Sequence, residues 1–185
     1  MPSIISHSVV GLAAASTYVT GKNVPVRLWI MSAICASLPD ADVLAFKLGI
    51  PYEHFWGHRG FVHSLSFAVV TGVVFATIFL IRDRPTLVKW FAFCGYFFLV
   101  AASHGVLDAF TSGGLGVALL SPFDNERYFF PWTPIEVSPI GIRLFFSDWG
   151  LQVMKSEFIW IWIPAILIVF ARKVISRFKN ITENV

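Results

Sequence analysis

Two uninterrupted apolar stretches, Phe61–Ile81 and Lys89–Phe110, place the tightest limit on what this chain can fold into. A helix rises 1.5 Å per residue, so about 20 mostly apolar residues cross roughly 30 Å of hydrocarbon, and both stretches reach that length. Hydrophobic residues fill 56% of the 185 positions and charged residues 14%, where a soluble domain is about a quarter charged. The chain reads as an integral membrane protein. Its net charge of +3 gives no case for nucleic acid, because Lys and Arg sit at the ends of apolar blocks, where headgroups and topology account for them. Cys35 and Cys94 fall inside apolar segments and read as small buried hydrophobes.

Other segments complete the bundle. Ile4–Thr20 is a short candidate helix rich in Ala and Ser; nothing basic precedes it, so it reads as an uncleaved first helix. Arg27–Leu38 is apolar but short. Pro39 is expected to end it near the membrane surface, with Val43–Ile50 following as an interfacial helix or turn. Ser112–Lys155 carries Pro122, Pro131, Pro134 and Pro139 with several charges, which suits a folded interfacial or re-entrant loop. Phe158–Ala171 is the last span. The expectation is an all-α, polytopic membrane bundle of about five apolar helices with one long interfacial loop, a single domain over residues 1–185.

Basic residues orient it. With the C-terminal Arg172, Lys173, Arg177 and Lys179 in the cytoplasm, five crossings also bring Arg82, Arg84, Lys89, Lys22 and Arg27 inside. Lys47, Arg59, Arg127, Arg143 and Lys155 remain outside, nine against five. The N-terminus is then extracytoplasmic.

Within this frame the ionisable residues are misplaced for a passive membrane helix. Asp40 and Asp42 follow Leu38-Pro39, His58 and His63 frame Arg59-Gly60, and His104 and Asp108 close the Lys89–Phe110 stretch. A charge at membrane depth costs several kcal/mol unless paired or coordinated. The topology brings all of these and His7 to one level on the outer face. His104 and Asp108, four apart, share a helix face, so both can reach one ion, or the carboxylate can orient the imidazole. His58 and His63 can both turn inward across Gly60, and Ser64 can cap the next helix. Asp40 and Asp42 point to different sides if extended, so only one need be a ligand. Imidazole and carboxylate together suit a divalent ion, zinc first. Arg59 offers a fork that matches phosphate. The bland alternatives are a structural His–Asp hydrogen bond, helix-end aspartates, and His7 as an interfacial terminal residue. His54 reads as part of an aromatic interfacial stretch, and Arg127 and Glu136 as ordinary surface charges.

Leu38-Pro39-Asp40-x-Asp42, His58-Arg59-Gly60-x-x-His63-Ser64 and His104-x-x-x-Asp108-x-x-Thr111, after a first helix with His7, resemble the bacterial inner-membrane proteins of the YdjM type. The resemblance covers nearly the whole chain, including Leu120-Ser121-Pro122-Phe123 through Arg127-Tyr128. It implies a LexA-regulated (SOS response), membrane-bound, metal-dependent hydrolase of the bacterial inner membrane. The order of Asp, His, His and His-x-x-x-Asp is also similar to zinc-dependent phospholipase C, which implies phosphodiester cleavage. The chain lacks the further histidines and carboxylate of a full trinuclear phospholipase site, so one or two ions are implied. In this reading His63, His104, Asp108 and Asp40 hold metal, with His7 and Asp42 as further ligands. Arg59 neutralises phosphoryl charge, and His58 is either a ligand or the acid for the leaving group. The expected substrate is a phospholipid or lipid-linked phosphate, with membrane lipids as partners and no nucleic acid. The alternatives are a metal-ion or proton transporter with a His/Asp relay, and a non-enzymatic assembly protein. Transport is disfavoured because Phe67–Leu80 offers only Thr71 and Thr77 as polar side chains.

Overall fold

The computed structural model describes residues 1–18 and 24–182; Lys22, assigned above to the basic side, lies outside the described residues. The chain is helical, with α1 Ile4–Tyr18, α2 Val26–Ser37, α3 Leu44–Lys47, α4 Leu65–Leu80, α5 Leu87–Ala109, α6 Ile142–Phe145, α7 Asp148–Glu157 and α8 Ile163–Thr182. Among the described residues there is no strand, only two isolated bridges, Thr111 with Ile135 and Val117 with Tyr128. Three helical runs, Val26–Lys47, Leu87–Ala109 and Asp148–Phe178, are long and apolar enough to cross a membrane, and α1 and α4 are shorter apolar helices.

Two boundaries differ from the sequence reading. The α-winding of α2 stops at Ser37, just ahead of Pro39 as expected, but the helical rod does not: it tightens into a 3-10 turn over Leu38–Val43 and continues through α3. Pro39 sits at the start of that turn, where its missing N–H breaks no bond. The last span begins earlier than Phe158, because α7 runs through a π-helical segment, Phe158–Trp162, into α8. The long loop therefore loses its final residues to helix.

Helix α4 lies along α5, α1 along α2, and α8 against α1. Ser64 caps α4 by accepting from Phe67 N at 3.1 Å, and Thr86 caps α5 by accepting from Lys89 N at 3.3 Å. Lipid tails are as apolar as Leu, so apolar burial alone gives these helices little reason to associate; close packing of small residues supplies it. A Cβ on Gly72 would stand 2.7 Å from Cys94 O and 2.8 Å from Phe98 N, so glycine lets α4 and α5 touch backbone to backbone. Ala15, Ala68, Ala76 and Ala101 are buried beside Leu28, Leu80 and Phe97 in the core. Outside it Val69, Val70, Phe91, Leu99, Leu167 and Phe170 are exposed, an apolar surface suited to a lipid surrounding.

The bundle has two unlike ends. Arg27 donates to Ile78 O and lies over the Phe79 ring at 5.4 Å, while Arg172 Nε reaches Thr17 O at 3.4 Å, so basic residues of α2 and α8 lie at one end. The acidic and imidazole residues occupy the other. There the loop after α5 folds back as a lid: Phe130 N bonds Ala109 O at 2.9 Å, Ala118 N bonds Arg59 O at 3.0 Å, Leu65 N bonds Leu119 O at 2.9 Å, and Ser138 N bonds Met1 O at 2.9 Å.

Candidate metal centre

Four separate segments deliver the site. α1 carries His7 on its first turns, the 3-10 turn carries Asp40 and Asp42, the segment entering α4 carries His58, Arg59 and His63, and α5 carries His104 and Asp108 near its C-terminal end. All eight residues come together. Asp108 is the hub: its Oδ1 is 3.3 Å from His7 Nε2, and its Oδ2 is 3.3 Å from both His63 Nε2 and Arg59 Nε. His104 Nε2 stands 3.4 Å from Asp40 Oδ1, 3.1 Å from His63 Nε2 and 4.0 Å from Asp108 Oδ2. Asp42 bridges the two other imidazoles, with Oδ1 2.5 Å from His58 Nδ1 and Oδ2 3.1 Å from His63 Nδ1. Asp108 and His104 are wholly buried.

Because Leu38–Val43 winds as a 3-10 turn instead of running extended, Asp40 and Asp42 both face the cluster. His104 Nδ1 lies 2.7 Å from Ala36 O, an orienting contact that leaves Nε2 facing the carboxylates. Gly105 makes the approach feasible: a Cβ there would sit 2.3 Å from His63 O. His54 is exposed, accepts from Trp56 N at 3.1 Å, and stays outside the cluster.

Arg59 is turned inward. Nη1 donates to Gly113 O at 2.8 Å, Nη2 donates to Thr111 Oγ1 at 2.9 Å, and Nε faces Asp108. Its backbone is left-handed, with φ of 61°, a conformation that costs about 1–3 kcal/mol and persists only where surroundings hold it. Burial lowers the guanidinium from its ordinary value and Asp108 works against that fall. The fork is thus already engaged within the protein.

Two residues matter more than their sequence context suggested. Arg127, read as a surface charge, donates from Nη1 to His58 O and from Nη2 to Tyr52 O, both at 2.8 Å, and lies over the Tyr52 ring at 5.2 Å. It clamps the loop that carries His58 and Arg59, and burial pushes the neighbouring Tyr52 up to about 12. Glu157 is wholly buried and accepts from Ser3 N, and from Ser3 Oγ and Ser6 Oγ at 2.6 Å each; Trp162 Nε1 also donates to Ser6 Oγ at 2.7 Å. This pins the segment just ahead of His7. A lone carboxylate opening an apolar block was the available signal for Glu157; nothing local marked Arg127.

Three ligand sets have atoms all within 4.8 Å of one another: His7 with His104 and Asp108, Asp40 with His63 and His104, and Asp42 with His58 and His63. They overlap through His63 and His104. Seven buried atoms in the cluster nevertheless lack a hydrogen bond: His7 Nε2, both Asp40 oxygens, Arg59 Nε, His63 Nδ1 and both Asp108 oxygens. The pairs are near enough for charge attraction yet misdirected for hydrogen bonding. Such atoms are costly when buried, and six of the seven carry lone pairs that divalent cations in these sets could take up, leaving Arg59 Nε, a donor, to its carboxylate neighbour. The residues therefore fit a divalent ion.

The family model of YdjM inner membrane protein matches residues 1–179. The "Inner membrane protein YbcI" of Escherichia coli (strain K12) is 40% identical over 169 residues, covering 91% of this chain and 95% of that protein. No solved structure matches. With every segment of the site inside the matched region, the chain belongs to the YdjM inner membrane protein family.

Proposed function

We propose that the protein is a membrane-bound, metal-dependent hydrolase acting on a phosphoester. The observation that carries this reading is the set of buried, unpartnered imidazole and carboxylate atoms shared by three overlapping ligand sets. His7, Asp40, Asp42, His63, His104 and Asp108 would hold one or two divalent ions, zinc first, with His58 within reach of the same set. A bound ion supplies Lewis acidity and a water nucleophile near neutral pH. Arg59 keeps the Asp108 carboxylate in place and adds positive charge beside it. His58, oriented by Asp42, can hold a proton for the leaving group. On the Lys/Arg distribution the site lies near the extracytoplasmic face of the inner membrane.

Transport is the weaker alternative. Beyond the cluster the bundle interior is Ala15, Leu28, Ala36, Phe79 and Phe97, with Ser32 and Tyr96 bonded to each other at 2.6 Å, and among the described residues this offers no continuing chain of His and acidic groups. The test is elemental analysis of purified protein, wild type against His104→Ala, paired with cleavage of bis(4-nitrophenyl) phosphate before and after chelation. Metal present in the wild type, absent in the variant and required for cleavage supports the proposal. A metallated wild type that cleaves no phosphoester but moves ions in proteoliposomes overturns it.

A further inference from the structure

A cavity of about 420 Å³ opens beside the cluster. Its walls are the first turn of α1 (Ile4, Ile5), Val43 of the 3-10 turn, and Ile140, Gly141, Phe145 and Phe146 at the two ends of α6, while Asp40 lies at its polar end. Asp40 is 5% exposed, and neither of its carboxylate oxygens has a hydrogen-bond partner. The volume is that of a ligand site, yet the lining is almost entirely aliphatic and aromatic. Its rim is continuous with the apolar exterior: Ile4 is 57% exposed, Ile140 48% and Phe146 81%, and Leu44, next to Val43, is 54% exposed. A second cavity of about 310 Å³ reaches the same cluster from the side of His58, Arg59 and Tyr52, and shares Met1 and Ser138–Ile140 with the first.

We propose that the cavity between Ile4, Val43 and Phe146 binds a hydrocarbon chain of a membrane phospholipid, entering sideways from the bilayer, with its phosphoester end held at the Asp40 side of the cluster. This rests on the metal-centre reading, because a bare Asp40 carboxylate would repel a phosphate. Three features commit the occupant to lipid. The rim residues Ile4, Ile140 and Phe146 are apolar and exposed, so a tail entering sideways from the bilayer meets no polar barrier there. An apolar cavity ending in one carboxylate of the cluster suits an amphiphile with a long tail and a charged head. The second cavity gives the head group room on the Arg59 side, and it shares the bonded pair Met1 and Ser138 with the first. The site thereby selects substrates by their chain as well as by their phosphate.

The experiment places the full chain in phosphatidylethanolamine vesicles with a trace of phosphatidylglycerol bearing a diazirine near the end of one acyl chain. After irradiation, labelled residues are mapped by mass spectrometry. Labelling within Ile140–Phe146 should fall several-fold in Val43→Trp, which fills the cavity, and in Phe146→Glu, which puts a charge at its rim. Labelling of Phe91 and Leu99, exposed on α5, should stay constant and report an intact fold in each variant. Phe146 is so exposed that its substitution disturbs little packing, which guards against a Val43→Trp protein that fails to fold. Labelling of Ile140–Phe146 that is absent, or unchanged in both variants, overturns the proposal. Parallel assays separate the two readings. Variant-sensitive labelling without cleavage of any phosphoester defeats the hydrolase and upholds the lipid site; cleavage of bis(4-nitrophenyl) phosphate without such labelling does the reverse.

Discussion

His7 lies flat against His104, ring centroids 3.7 Å apart and planes 15° apart, joining the first helix to the fifth across the middle of the site. Each ring also turns Nε2 towards a carboxylate, His7 to Asp108 and His104 to Asp40. The stack makes the geometry of one imidazole depend on the other, so the N-terminal helix is part of the centre.

Metal content should follow from this geometry. His63→Ala, His104→Ala and Asp108→Ala should each lose most bound zinc, measured by elemental analysis, while circular dichroism retains the helical signal. Ligation needs neutral imidazole and ionised carboxylate, so protons compete with the ion and retention should fall as pH drops below neutrality. Retention that is flat from pH 8 to about 5 would speak against a His/Asp site, since free imidazole titrates near 6.5.

Gly105 and Gly95 on α5 form a matched pair. A Cβ on Gly105 meets His63 O at 2.3 Å, whereas one on Gly95 meets nothing within 4 Å. Gly105→Ala should lower stability by about 1–3 kcal/mol and weaken metal binding, because α5 must back away from His63. Gly95→Ala should be neutral or gain up to about 1 kcal/mol from helix propensity. Thermal unfolding in detergent with metal titration reads both; equal effects would mean that the close approach at Gly105 is not real.

Glu157→Gln keeps the shape but replaces one acceptor oxygen with a donor facing Ser3 and Ser6. The change should cost about 1–3 kcal/mol and loosen the segment ahead of His7, seen as faster amide exchange over residues 1–7 and weaker metal binding. Unchanged exchange there would show that Glu157 does not position His7.

Reporter fusions within residues 120–130 and at the C-terminus should report opposite sides of the membrane, the loop outside and the C-terminus in the cytoplasm. A loop reporter active only in the cytoplasm would reverse the orientation and put the centre on the inner face.

Membrane residence and the grouping of His7, Asp40, Asp42, His58, His63, His104 and Asp108 were legible in the residues themselves. Block hydropathy and the i, i+4 spacing of His104 and Asp108 depend only on local periodicity. Arg59 was legible as a charge near the site but not as a guanidinium spent on Gly113 and Thr111, because its acceptors come from a distant loop. The joint inward aim of Asp40 and Asp42 needed a 3-10 turn that Pro39 permits but does not dictate. The Arg127 clamp and the Ser3 and Ser6 partners of Glu157 belong wholly to tertiary structure. A buried donor or acceptor must be satisfied by whatever the fold brings beside it, and that partner can lie anywhere in the chain. Sequence by itself determined which groups are too costly to leave alone in a membrane; the packing of α1, α5 and the loop lid decided which of them meet.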